Sequence, residues 1–199
     1  MGKVFVIGRD PVPEKVALGA GESLDWTFVA LPGCRESLTV AIDLDGEGAE
    51  ANLQGLYLLT GWENLNLRIL LRHNVGGCTS RQLFKGVVGG QARAVFDGLI
   101  YVAQDAFRTK ALQENHNILL SEGAVVESRP QLEIYADDVE CSHGATTGFL
   151  SEDELFYMRS RGIPEAEARR LQIISFLSPV ASRLPEDIQA LVYDSISER

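Results

Sequence analysis

Asn64-Leu65-Asn66-Leu67-Arg68-Ile69-Leu70-Leu71-Arg72 alternates polar and apolar side chains almost without a break. In an extended chain successive side chains point to opposite faces. Leu65, Leu67, Ile69 and Leu71 therefore share one face, and Asn64, Asn66, Arg68 and Arg72 share the other, which is the pattern of a half-buried β-strand. The same period of two runs outward from this stretch. Upstream it recurs in Leu24, Trp26, Phe28 and Ala30, then in Leu38, Val40, Ile42 and Leu44. Downstream, Val95-Phe96-Asp97-Gly98-Leu99-Ile100-Tyr101-Val102, Asn117-Ile118-Leu119-Leu120 and Gln131-Leu132-Glu133-Ile134-Tyr135 carry it to about Thr147. Turn chemistry separates the strands, as in Gln104-Asp105-Ala106, Glu122-Gly123-Ala124 and Asp137-Asp138. No helical pattern interrupts the series.

Ala106, Ala124 and Ala145 are each expected at a strand boundary, at separations of 18 and 21 residues, which fits a solenoid with one rung per recurrence. Small residues suit corners where stacked backbones approach. A β-sandwich also has many short strands with frequent turns, so the periodicity fits both architectures.

After Gly148 the pattern changes. Ser151-Glu152-Asp153-Glu154 reads as a capping box, and Gly162 is placed to end the helix that follows. Pro164, Glu165 and Glu167 suit the first turn of a second helix, with Leu171, Ile174, Leu177 and Val180 as its apolar stripe. Pro179 predicts a kink or an early stop in it. A third helix opens at Pro185-Glu186-Asp187 and carries Ile188, Leu191, Val192 and Ile196. The expected organisation is a β core over 1–150 and a helical segment over 151–199.

A net charge of −10 and a pI near 4.8 argue against a nucleic-acid binder, whose affinity comes from clustered Lys and Arg. The N-terminal apolar run is too short for a signal peptide, and no stretch approaches the roughly 20 apolar residues of a membrane span, so a cytoplasmic location is expected. Three widely spaced cysteines, Cys34, Cys78 and Cys141, suit reduced thiols better than a disulfide framework.

Cys141 and His143 are two apart in a period-two segment, so their side chains share a face and lie within about 7 Å of each other. A thiolate beside an imidazole suits iron, zinc or an iron–sulfur cluster. Two ligands fall short of the four that close a site, so the rest must come from another rung or another subunit. The bland alternative is a small core cysteine beside a hydrogen-bonded structural histidine. His73, His116 and His143 would make a three-histidine site if the fold gathered them. Asp137 and Asp138 are adjacent and point apart in an extended segment, which suits a turn and not an acid–base pair. Gly86-Val87-Val88-Gly89-Gly90 lacks the Gly-Lys-Ser/Thr ending of a P-loop.

Several blocks resemble the core of the SufB/SufD family of iron–sulfur cluster assembly proteins. They are Ser80-Arg81-Gln82-Leu83-Phe84-Lys85-Gly86-Val87, Val95 to Val102 and Thr109-Lys110-Ala111-Leu112-Gln113-Glu114-Asn115-His116-Asn117. The longest runs from Arg129-Pro130-Gln131-Leu132-Glu133-Ile134-Tyr135 through Val139-Glu140-Cys141-Ser142-His143-Gly144-Ala145-Thr146. Leu155-Phe156-Tyr157-Met158-Arg159-Ser160-Arg161-Gly162-Ile163 extends the resemblance into the tail, and it covers about Leu38 to Val180.

The resemblance implies a mainly β fold, a right-handed parallel β-helix followed by a small C-terminal helical segment. It implies a non-enzymatic scaffold in the SUF system, paired with a SufB-like subunit and docking a SufC-like ATPase through its C-terminal helices. Cys141 and His143 would hold iron or a transient iron–sulfur cluster shared with the partner, with none tightly bound to the isolated chain. Cys-Ser-His-Gly-Ala-Thr points to the SufD branch. Phe156, Tyr157, Arg159, Arg161 and Gly162 would contribute to the ATPase-docking surface, although Phe156 and Tyr157 also suit sealing the end of the β-helix. Family chains are typically about twice this length and carry an N-terminal helical region, so a compact member or a trimmed piece is expected. A self-paired dimer is open to it as well, because sheet edges invite association. The rival functions are a purely architectural subunit that touches no cluster and a β-helix hydrolase or lyase acting on polysaccharide.

Overall fold

The computed structural model describes residues 2–197, and for residue 197 the backbone alone. Eleven strands precede three helices among the described residues. The strands are β1 (Lys3–Val6), β2 (Lys15–Leu18), β3 (Ser23–Ala30), β4 (Ser37–Leu44), β5 (Glu50–Leu59), β6 (Asn64–His73), β7 (Thr79–Val88), β8 (Arg93–Val102), β9 (Lys110–Leu119), β10 (Val125–Ile134) and β11 (Glu140–Phe149). The helices are α1 (Glu152–Ser160), α2 (Glu165–Ala181) and α3 (Glu186–Ser197).

Successive strands alternate between two sheets, ordered β1-β3-β5-β7-β9-β11 and β10-β8-β6-β4-β2, and every pairing is parallel. The chain thus winds as a solenoid, one strand of each sheet per coil. This selects the parallel β-helix over the sandwich, whose sheets are antiparallel.

The repeat differs from the one expected. Glu50 pairs with Thr79, Thr79 with Lys110 and Lys110 with Glu140, an advance of 29, 31 and 30 residues per coil. Ala106 and Ala124 occupy two different corners of the coil, and Ala145 lies in the middle of β11. What recurs once per coil is a left-handed backbone corner two residues ahead of β3, β5, β7, β9 and β11: Gly21, Gly48, Gly77, Arg108 and Asp138, with φ of 68°, 75°, 70°, 56° and 55°. Glycine enters that region freely, whereas other L-residues give up about 1–2 kcal/mol there.

The opening stretch behaves as its alternation requires. Leu65, Leu67, Ile69 and Leu71 are buried inside the coil, each worth roughly 1.5–3 kcal/mol against exposure. Arg68 and Arg72 face outward and pair with Asp97 and Asp43. Inside the first coils, Phe5, Phe28, Phe84 and Phe96 form a chain of ring contacts with centroids 4.8–6.3 Å apart.

The helices lie on the outer face of the β1-to-β11 sheet. Leu155, Leu177, Val180, Ile188 and Val192 share a core with Val29, Leu56, Leu58 and Val87. The Ser151 hydroxyl caps α1 by accepting from the Glu154 N–H at 3.3 Å, and Gly162 ends it at φ 85°. Pro179 does not stop α2 at its own position, since the helix runs on two residues to Ala181. Proline cannot donate to the carbonyl of Ser175, and the hydroxyl of Ser178 does so instead at 2.8 Å. Leu171 and Leu191, read as part of apolar stripes, are exposed.

Candidate functional site

β11 pairs only with β9, and β10 only with β8, so the last coil leaves both sheets with an open edge. The two edges are not equivalent. Pro130, at the middle of β10, has no N–H to offer a further strand, whereas β11 contains no proline. β11 is therefore the edge with its backbone donors intact.

Register and alternation decide where the β11 side chains go. Cys141 pairs with Ala111, His143 with Gln113, Ala145 with Asn115 and Thr147 with Asn117. Those four β9 residues are buried inside the coil, so their β11 partners face the same way, into the mouth of the solenoid lumen. Cys141 and His143 therefore share a face, as their spacing requires. Cys141 is half-buried against Ile100, Val102, Ala106, Ala111 and Ala136. Burial pushes its thiol up from the ordinary value, with a smaller opposing effect from a backbone hydrogen bond at Ala111. A thiol so placed is protonated at neutral pH and binds metal only after a cation or the metal itself displaces the proton. His143 is exposed. A shallow hollow beside Cys141 is lined by Arg81, Lys110 and Glu140, and Lys110 and Glu140 pair across it at 3.0 Å.

The three histidines do not converge. His73 is fully buried at the end of β6, where its Nε2 meets the Ser80 hydroxyl at 2.9 Å. His116 alternates onto the outer face of β9, with Nδ1 at 2.8 Å from the Thr146 hydroxyl. Among the described residues, no group of three or more His, Cys, Asp or Glu side chains gathers as a metal site. Cys141 and His143 are thus two donors at an open edge and not a closed set.

Phe156 and Tyr157 do not seal the β-helix. They stand 75% and 59% exposed on α1, and the Arg161 guanidinium lies 5.1 Å from the Tyr157 ring centroid. Arg159 bridges to Glu165 at 3.3 Å, tying α1 to α2. Tyr157, Met158, Leu171 and Gln172 line a hollow between the two helices.

The sequence reading missed the polar lumen. Ser80, Gln82, Gln113, Asn115 and Asn117 are buried where neighbouring coils carry apolar side chains. The Tyr57 hydroxyl donates to Asn117 Oδ1, Asn115 Nδ2 donates to the Tyr57 oxygen at 3.1 Å, and Asn117 Nδ2 donates to Asn115 Oδ1 at 2.8 Å. The available signal was the alternation of amides at Gln113, Asn115 and Asn117, which share one strand face although all are polar.

A coiled parallel sheet, layered with helices on one face and open at its last coil, defines a β-helix core domain. Residues 12–176 match the family model described as SUF system FeS cluster assembly, SufBD core domain, and the chain belongs to the SufB/SufD family. It is 43% identical over 144 residues to the iron–sulfur cluster assembly protein SufD of Escherichia coli, covering 72% of this chain and 34% of that protein. It is 33% identical over 175 residues to an iron–sulfur cluster assembly SufBD family protein of Mycobacterium tuberculosis, covering 84% and 44%. With the SufD of Bacillus subtilis it shares 30% identity over 169 residues, covering 85% and 39%. The chain therefore spans less than half the length of these relatives. No described helix is long and apolar enough to cross a membrane.

Proposed function

We propose that this chain acts in iron–sulfur cluster assembly as a SufD-type scaffold, with no catalytic step of its own. The observation that carries this reading is the open β11 edge, which presents Cys141 and His143 on one face of the lumen mouth. A strand from a SufB-like subunit laid along β11 would extend the sheet, satisfy its free backbone groups and bring the missing donors to the same mouth. The nascent cluster is then cargo held between two chains. His143 is the donor on this side, and Cys141 serves as thiolate ligand or sulfur relay once the partner's charge or the metal has displaced its proton. The same edge would admit a second copy of this chain where no SufB-like subunit is present.

The α1–α2 surface is the complementary docking site for a SufC-like ATPase. Exposed aromatic side chains beside arginines are the usual composition of an interface anchor, and Phe156, Tyr157, Arg159 and Arg161 meet that description, with Gly162 setting the turn that follows.

The test is His143→Ala in a complex reconstituted with SufB-like and SufC-like subunits, with iron and acid-labile sulfide measured against the unsubstituted complex. The expected result is loss of most of both while the complex stays assembled. Unchanged iron and sulfide would leave the purely architectural subunit as the correct reading.

A further inference from the structure

Across β1, β3 and β5 the register sets Val4, Thr27 and Gln54 side by side on the outer face of the sheet. Elsewhere that face meets the helices through apolar side chains, among them Val29, Leu56, Leu58 and Val87. Thr27 and Gln54 are polar in this setting, yet they are only 8% and 5% exposed. Gln54 Oε1 is buried with no hydrogen-bond partner among the described residues. Enclosing an acceptor without a donor is unfavourable, and a leucine at the same place would leave nothing unmatched. A ligand that brings the donor accounts for the glutamine.

Thr27 and Gln54 form one wall of a cavity of about 340 Å³. The turn between α2 and α3 and the first turn of α3 supply the facing wall, through Arg183, Pro185, Asp187 and Ile188. A space of this size suits a small molecule. Arg183 and Asp187 carry opposite charges to the same cavity. They do not pair with each other, and neither pairs with another charged side chain among the described residues.

The donors and acceptors of the cavity define what it takes. A guanidinium matches a carboxylate bidentately. An ammonium brings three N–H donors and no acceptor, which suits a carboxylate, an unmatched amide oxygen and a hydroxyl together. Val4 and Ile188 add apolar wall between these polar groups. We propose that the cavity is a binding site for a small zwitterion, a free α-amino acid, with its carboxylate on Arg183 and its ammonium on Gln54 Oε1, the Thr27 hydroxyl and Asp187. The site lies on the helix-covered face, three strands along the sheet from β11, and stands independently of the cluster reading.

The test is calorimetric titration of the isolated full chain with each of the standard L-amino acids in turn. At least one is expected to bind with millimolar or tighter affinity, shifting the backbone amide resonances of Thr27, Gln54 and Arg183. No binding by any of them overturns the proposal. The carboxamide and the N-acetyl derivative of the amino acid that binds each lack one of its charges, and each should bind roughly ten- to a hundredfold more weakly. Equal affinity of either derivative overturns the zwitterion. Arg183→Gln changes an exposed side chain and leaves the fold intact, whereas Gln54→Leu removes the buried amide, with folding checked by the amide spectrum. Both variants should weaken binding by roughly ten- to a hundredfold. Binding that survives both substitutions lies elsewhere on the chain and overturns the site.

Discussion

Burial holds the imidazole of His73 at a pKa of about 4, against an ordinary value of 6.5. The cause is desolvation, because no charged group faces the ring and its one hydrogen bond is to the neutral Ser80. The folded chain therefore keeps His73 neutral at pH 7. On acidification the unfolded chain takes up a proton near 6.5, before the folded chain can, so stability is fully present above pH 6.5 and falls as pH drops toward 4. The expected loss across that window is about 3 kcal/mol. Urea unfolding between pH 7 and pH 4 should show this slope in the unsubstituted chain and a flatter one in His73→Gln. Equal slopes would mean that His73 titrates freely. The same residue shows why composition misleads about histidines, since of three in the sequence one is a neutral core side chain, one faces outward against Thr146 and only His143 stands at the open edge.

At the scale of elements, the strands were legible wherever one face is apolar, as in β6 and β8. The coil repeat was not legible. Its marker is a backbone conformation, and Arg108 and Asp138 occupy the left-handed corner that Gly21, Gly48 and Gly77 announce in earlier coils. β9 was read from Asn117-Ile118-Leu119-Leu120, where Ile118 in the strand and Leu120 just past it pack outward under the helices while the strand's amides fill the lumen. A polar lumen inverts the rule that decides which face is inside. For the helical segment, the start and end signals at Ser151 and Gly162 sufficed, because capping is local chemistry. At Pro179 the neighbouring Ser178 hydroxyl donates to the Ser175 carbonyl in place of the missing proline N–H, a compensation equally local but not read from the sequence. The exposed α1 surface separates binding from stability. Phe156→Ala should change unfolding free energy by less than about 0.5 kcal/mol, as for surface substitutions generally, while weakening a SufC-like ATPase by tenfold or more in a titration. A large stability loss with normal binding would place Phe156 in the core instead.

For the whole molecule, the described solenoid runs from a coil of the four-residue strands β1 and β2. The last coil ends in the ten-residue strands β10 and β11, both unpaired on one side. The spacing of Cys141 and His143 was enough to place them on one face, but the sequence did not show that this face is the mouth of the lumen or that buried glutamines lie under it. The functional account depends on the open edge of the last coil, with β11 as the strand on which a second chain would complete the site. Its most direct test is amide hydrogen exchange of the full chain, alone and with a SufB-like subunit. Protection of residues 140–149 on complex formation, with β1 and β2 unchanged, is the result the account predicts. Unchanged exchange along β11 in a complex that nonetheless forms would contradict it.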